Sequence, residues 1–217
     1  TESVLAVKCG LPEGHKNVNV VVSNSGGHAH ADAGHFLFVA HGAYLVTDGS
    51  AASKNQTGFH NSLLIDGRGQ KGENNRGEFD MEAWYKDRRA PRILTAVSTP
   101  AEDVIVCDVT AAYPPEAGLT AFSRTFRFAK PDVVLIADRV ATEKPSALVW
   151  RFHLEGKVEK VSDTCFRVTQ KEAVLAIGIL GTGEFRATVS PLEGQKNIAL
   201  LSLSPAAKTD KAELVIV

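Results

Sequence analysis

The feature that most constrains this chain is a succession of short β-branched or aromatic runs, each closed by turn-forming residues. Val18-Asn19-Val20-Val21-Val22, Val104-Ile105-Val106 and Val133-Val134-Leu135-Ile136 are rich in side chains that suit a pleated sheet better than a helix. Phe36 to Ala40 and Ala43 to Val46 flank His41-Gly42, and Asn61 to Ile65 runs into Asp66-Gly67, a hairpin-type dipeptide. Ser123 to Phe128 and Phe166 to Thr169 alternate between polar and apolar. Leu148 to Leu154 and Ala199 to Leu203 also read as strands. No helical segment of ten or more residues alternates with these runs, which disfavours a parallel α/β sheet. The expectation is an all-β fold, an antiparallel sandwich or barrel with the sandwich preferred. It should form one domain over residues 1–217, because a chain of that length can bury a core without staples.

The stretch from Lys71 to Arg92 departs from this pattern. It is rich in Gly, Asn, Arg and acidic residues, with Trp84 and Tyr85 embedded, and reads as a long surface insertion. The two aromatics suit a sugar-stacking platform as well as a packed anchor. Lys plus Arg total 24 against 25 Asp plus Glu, a net charge of −1. That balance gives no electrostatic reason to expect nucleic acid or a membrane surface as partner. No apolar run approaches the ~20 residues of a membrane span. The cysteines, Cys9, Cys107 and Cys165, form no CxxC pair and are odd in number, so neither a thiolate zinc site nor a disulfide framework is indicated. They read as small buried hydrophobes, with a single disulfide left open.

Four of the seven histidines bear on chemistry through one segment and its surroundings. In Gly27-His28-Ala29-His30-Ala31-Asp32-Ala33-Gly34-His35-Phe36, an extended backbone would place His28, His30 and Asp32 on one face. Asp48 closes one expected strand and His60 opens another, so neighbouring strands could bring both to the end of the first. Two imidazoles and a carboxylate make a borderline metal shell that suits zinc and equally Fe, Mn or Cu. The plainer reading is that these histidines cap loops and bind nothing. A cupin also carries an HxH pair on β-structure, but its following Glu and its later Gly-rich segment ending in His have no counterpart here.

The run His28-Ala-His30-Ala-Asp32-Ala-Gly-His35-Phe36 resembles the HxHxDxxxF motif of heparinase II/III-like polysaccharide lyases. His41 to Gly49 is similar to the strand pair that follows in that family. Phe59-His60-Asn61-Ser62-Leu63-Leu64-Ile65-Asp66-Gly67-Arg68-Gly69-Gln70 is similar to its next segment. Ser123 to Phe128 and Leu135 to Asp138 fall where the family carries an Arg strand followed by an Asp strand. The likeness spans roughly residues 18 to 155. His35 departs from it, since the family often has a small polar residue there.

The resemblance implies the C-terminal sandwich of a lyase whose N-terminal helical toroid, carrying the catalytic Tyr, would be this chain's partner within the same protein. It implies an acidic polysaccharide substrate, a glycosaminoglycan or alginate, cleaved by β-elimination next to a uronic acid. His28 would be catalytic at the substrate, His30, Asp48 and His60 would hold a divalent metal, most simply zinc, and Asp32 would orient a histidine. Such an enzyme is expected in the periplasm or secreted, and the sandwich alone is expected to be inactive. The competing expectation is a carbohydrate-binding or scaffolding module that keeps the metal. Tyr44 is the nearest tyrosine in sequence but lies mid-strand, where packing is the simpler role. Arg68, Arg124, Arg127 and Arg151 could bind anionic groups, although strand alternation reads them as solvated surface. His153 reads as structural.

Overall fold

The computed structural model describes residues 3–12, 14, 29–49, 55–73, 79–86 and 89–217, with the side chains of Tyr85 and Lys86 excepted. The expected strand at Val18 to Val22 and His28 lie outside the described residues.

Two antiparallel sheets face one another. The first contains β1 (Val4–Lys8), β2 (His35–Ala40), β3 (Ala43–Thr47), β4 (Leu63–Ile65), β9 (Leu148–Glu155), β13 (Phe185–Pro191) and β14 (Ile198–Pro205). Its order is β1-β2-β3-β9-β14-β13, with β4 also paired to β9. The second contains β5 (Arg92–Ser98), β6 (Glu102–Asp108), β7 (Leu119–Ala129), β8 (Val133–Ser146), β10 (Lys157–Lys160), β11 (Cys165–Gln170), β12 (Ala173–Gly181) and β15 (Thr209–Ile216). Its order is β10-β11-β12-β15-β8-β7-β6-β5. The chain is therefore an all-β antiparallel sandwich. Among the described residues, one short α-helix, α1 (Glu82–Lys86), and three single 3-10 turns interrupt the strands.

The core sits between the sheets and follows from the period of two. Leu148, Trp150, Phe152 and Leu154 are the inner residues of β9, and Phe122, Phe126 and Phe128 those of β7. Phe36 of the first sheet meets Phe126 of the second edge-on at 5.4 Å, and Phe38 meets Phe128 at 6.2 Å. Such pairs add to the burial of apolar area, itself on the order of 25 cal/mol per Å². The hairpins are closed by the dipeptides the sequence marked. His41 and Gly42 have φ of 53° and 71°, and Asp66 and Gly67 have φ of 48° and 78°, the successive left-handed pairs that two-residue turns require.

Strands β1, β5, β10, β12, β13 and β15 were not legible as runs. β5 and β13 carry hardly any buried residue and so show no core face, and β15 mixes charged with apolar residues. The stretch from Lys71 to Arg92 corrects its expectation of a surface insertion. Lys71, Phe79, Met81 and Trp84 are buried, and Arg92 already opens β5. The Trp84 indole donates its Nε1–H to the Lys71 carbonyl at 2.9 Å, and the Lys71 ammonium lies 4.6 Å from the indole centroid. The indole is therefore an anchor, its apolar body in the core and its one donor satisfied.

Candidate metal centre

The site stands over a break in the first sheet. β3 pairs with β9 at Thr47↔His153, whereas β4 pairs with β9 from Leu63↔Trp150 onward. The chain thus leaves β9 at Thr47 and returns to it at Leu63, and the excursion between carries Asp48 and His60. The Asn61 side chain spans the break. Its Oδ1 accepts the backbone N–H of His153 at 2.7 Å, and its Nδ2 donates to the carbonyls of Thr47 at 2.7 Å and Phe36 at 2.8 Å. An amide side chain here replaces the ladder partners that the interrupted strand cannot supply. The Gly49 N–H donates to the Phe59 carbonyl at 2.9 Å, joining the two ends of the excursion.

The segment bearing His30 is fastened to the same place. The Ala31 N–H donates to the Asn55 carbonyl at 2.9 Å. Gln70 grips the Ala33 peptide from both sides, its Oε1 accepting the N–H at 2.9 Å and its Nε2 donating to the carbonyl at 2.8 Å. Glu73 accepts the N–H groups of Thr57 and Gly69, each at 2.8 Å. Lys8 holds both oxygens of Asp32 at 2.6 and 2.7 Å. Both Asp32 oxygens thus accept from an ammonium ion, which ties the His30 segment to the end of β1.

These restraints bring His30, Asp48 and His60 together, with one potential ligand atom from each lying within 4.8 Å of the others. The His30 and His60 ring centroids are 5.1 Å apart. His60 Nδ1 stands 3.2 Å from Asp48 Oδ1 without the alignment of a hydrogen bond, and among the described residues neither ring nitrogen of His60 has a hydrogen-bond partner. His60 is fully buried. Leaving a buried polar atom unsatisfied costs about 1–3 kcal/mol, a cost that a metal ligand bond would remove. The residues present therefore fit a divalent cation, and the donor set of two imidazoles and one carboxylate is one that zinc accepts. Burial, and then the neighbouring His60, push the His30 imidazole below its ordinary pKa, which keeps it in the neutral form that a ligand needs.

His35 completes the inner layer. Its Nδ1 accepts the backbone N–H of Asn61 at 2.9 Å, so the ring proton belongs on Nε2, which stands 3.8 Å from Asp48 Oδ2. Burial brings its pKa down to about 3, so the ring is neutral near pH 7. His153 is neutral for the same first cause, also at about 3. Its Nδ1 lies 3.1 Å from Asn61 Oδ1, and among the described residues its buried Nε2 has no hydrogen-bond partner.

Behind the histidines lies a buried arginine. Arg124 Nη1 donates to the carbonyls of Gly34 at 2.7 Å and Asn61 at 2.6 Å, one from each segment that feeds the site. Arg124 is not the solvated strand residue expected; it is fully buried. Arg127 is exposed and paired with Glu102, as a surface strand residue should be. Tyr44 is 51% exposed, so about half of it is covered by its neighbours. Four extended residues, on the order of 13 Å, separate it from Asp48.

Residues 2–198 match the family described as Heparinase II/III-like, C-terminal. The chain belongs to the heparinase II/III-like family. No curated protein matches it at a significant level. Among solved structures, the Heparinase III-BT4657 gene product aligns with a TM-score of 0.69 at 14% identity, over 98% of this chain and 32% of that one. A crystal structure of heparinase III aligns at 0.69 and 12% identity, over 99% and 33%. The heparan sulfate lyase HepC from Pedobacter heparinus aligns at 0.64 and 16% identity, over 99% and 32%. These likenesses are to the fold of the heparinase sandwich, and this chain spans about a third of the length of each of those proteins.

Asn61, Gln70, Glu73 and Gly49 support the site without having been assigned roles from sequence. Asn61 and Gln70 lie inside the segment that resembles the family, which was the available signal. Glu73 stood in the stretch read as an insertion and gave none.

Proposed function

We propose that this chain is the metal-holding sandwich of a polysaccharide lyase that cleaves uronic-acid-containing polymers, glycosaminoglycan or alginate, by β-elimination. The observation that carries the proposal is the convergence of His30, Asp48 and His60, with both buried ring nitrogens of His60 unpartnered, in a chain of the heparinase II/III-like family. In this reading zinc is the cation, and when bound it supplies a fixed positive charge and cross-links the three segments. His28, two residues before His30, reaches the substrate. The task there is to stabilise charge developing on the uronate carboxylate while a proton leaves C5 and another reaches the departing oxygen. An imidazole suits proton transfer near neutral pH. Asn61, Gln70 and Arg124 hold the backbone around His30, Asp48 and His60. The second acid–base group is taken to come from a helical domain of the same protein, and the setting to be the periplasm or the cell exterior.

The burial of His60 favours one alternative, a sugar-binding or scaffolding module whose metal is purely structural. One assay separates the two. The chain alone, and the full-length protein including any helical domain, are incubated with heparin, heparan sulfate and alginate while the ultraviolet absorbance of unsaturated uronate is followed. Turnover by the full-length protein, lost in His28→Ala, with little or none from the chain alone, is the expected result. No turnover by either favours the module. Turnover by the chain alone that His28→Ala abolishes would show that the sandwich carries a complete site.

A further inference from the structure

Two of the three cysteines meet across the sandwich. Cys9 directly follows β1, in the first sheet, and Cys107 lies within β6, in the second. Cys9 Sγ donates to the carbonyl of Asp108, the residue that follows Cys107, at 3.6 Å, and each of the two thiols is the strongest influence on the other's acidity. The surrounding backbone agrees. The Lys8 carbonyl accepts the Gly34 N–H at 2.8 Å, and Gly34 packs on Val109, whose Cγ2 would lie 3.0 Å from a Cβ added there. Residues 8–9, 34 and 107–109 are thus one packed cluster. Both sulfurs are free thiols, Cys107 buried and Cys9 partly exposed, while Cys165 is exposed and lies in β11.

We infer that Cys9 and Cys107 are a redox pair that closes to one intrachain disulfide, fastening the end of β1 to β6. The oxidant is an external disulfide. Cys9, the accessible member, loses its proton to solvent and attacks one sulfur of the external disulfide, releasing one external thiolate and forming a mixed disulfide. The Cys107 thiolate then attacks the Cys9 sulfur and releases the second external thiolate. Two protein thiols and one external disulfide become one protein disulfide and two external thiols. Cys107 and burial hold the Cys9 thiol well above its ordinary value, so access and not acidity makes Cys9 the first to react. Cys9, and then the Arg124 guanidinium, lower the Cys107 thiol, which suits the second, resolving attack.

The cross-link would bear on the metal centre. Lys8, next to Cys9, holds the Asp32 carboxylate and the Gly34 N–H, two points of the short run between His30 and His35. The closed loop spans about 100 residues, and in the chain-entropy account a long loop restricts the unfolded chain more than a short one.

The test uses a Cys165→Ser background, so that the exposed thiol cannot react. The protein is refolded in a glutathione redox buffer, denatured, alkylated without reduction and weighed intact. The expected result is no alkylation, a mass lower by two hydrogen atoms, and a peptide joining Cys9 to Cys107. Reduction should restore two alkylations and lower the thermal midpoint, and Cys9→Ser should abolish the difference between the oxidised and reduced midpoints. Two alkylations after oxidative refolding, or a glutathione adduct that persists on Cys9, would overturn the inference.

Discussion

Arg124 and Asp138 form a two-pronged ion pair between adjacent strands on the inner face of the second sheet, Nε to Oδ1 at 2.8 Å and Nη2 to Oδ2 at 2.7 Å. Both are buried. Trp150 of the opposite sheet donates its Nε1–H to the same Asp138 oxygen at 2.7 Å. Burial alone would lower the Arg124 pKa, but Asp138 outweighs it and the guanidinium is raised. The remaining Nη1 reaches Gly34 and Asn61, so this pair forms the floor on which the metal-site segments rest.

Breaking one partner of that pair should be severe, because it leaves the other charge buried and unpaired. Asp138→Asn and Arg124→Met are each expected to cost about 3–5 kcal/mol. Urea unfolding of the metal-free protein measures this apart from any ligand effect. A loss below about 1 kcal/mol in either variant would show that the pair contributes little to holding the fold.

The same pair shows what was legible. Along β7, Arg124 has the parity of Phe122, Phe126 and Phe128, and along β8, Asp138 has the parity of Ile136 and Val140. A period of two read strictly places both inside and facing each other's neighbourhood. Treating all arginines on strands as outward lost that information. The set His30, Asp48 and His60 is legible only through the resemblance to the family: imidazole and carboxylate stand out as residue types, but alternation alone groups His30 with His28 and Asp32. The bridging amide of Asn61 was not legible, because its role exists only once residues near 36, 47 and 153 have been brought together. Trp84 was ambiguous for the same reason, since only the fold decides whether an aromatic in a polar stretch is covered.

Removing a ligand should remove the metal. Freshly purified protein supplied with zinc is expected to hold about one equivalent, and His60→Ala less than a tenth of one, by elemental analysis. A cation bound to the folded state alone adds stability by mass action, ~2.7 kcal/mol at a hundred times Kd. Zinc should therefore raise the thermal midpoint of the wild type and leave that of His60→Ala in place. Wild-type protein with less than a tenth of an equivalent after zinc addition would refute the centre.

Tyr113 predicts an alkaline limit to stability. Its hydroxyl donates to the Leu63 carbonyl at 2.5 Å in the core, and burial pushes its pKa up to about 12. A phenol whose pKa is higher folded than unfolded contributes its full stability below the unfolded value near 10. That contribution is lost as pH rises from there toward the folded value, about 2–3 kcal/mol in all. Tyr113→Phe lacks this loss. The stability gap between wild type and Tyr113→Phe should narrow between pH 10 and 12 in denaturant titrations, whereas parallel curves would contradict the assignment.

Gly49 sets how closely the Asp48 backbone can approach β9. A Cβ there would lie 2.3 Å from His153 Cδ2, 2.5 Å from its Nε2 and 3.0 Å from Leu192 Cδ2. The His153 ring cannot swing away freely, because its Nδ1 lies 3.1 Å from Asn61 Oδ1. Gly49→Ala must then either break that contact or draw the backbone beside Asp48 outward. Drawing it outward pulls the carboxylate from His30 and His60 while leaving every donor in the sequence. Disturbing the groups that orient ligands typically costs 10–100-fold in metal affinity. Competition against a chromophoric chelator should show a loss in that range for Gly49→Ala. Asp48→Asn, which keeps the backbone but weakens the donor, serves as the comparison. If Gly49→Ala binds zinc as wild type does and loses only thermal stability, the close approach serves packing against His153 and does not aim the carboxylate.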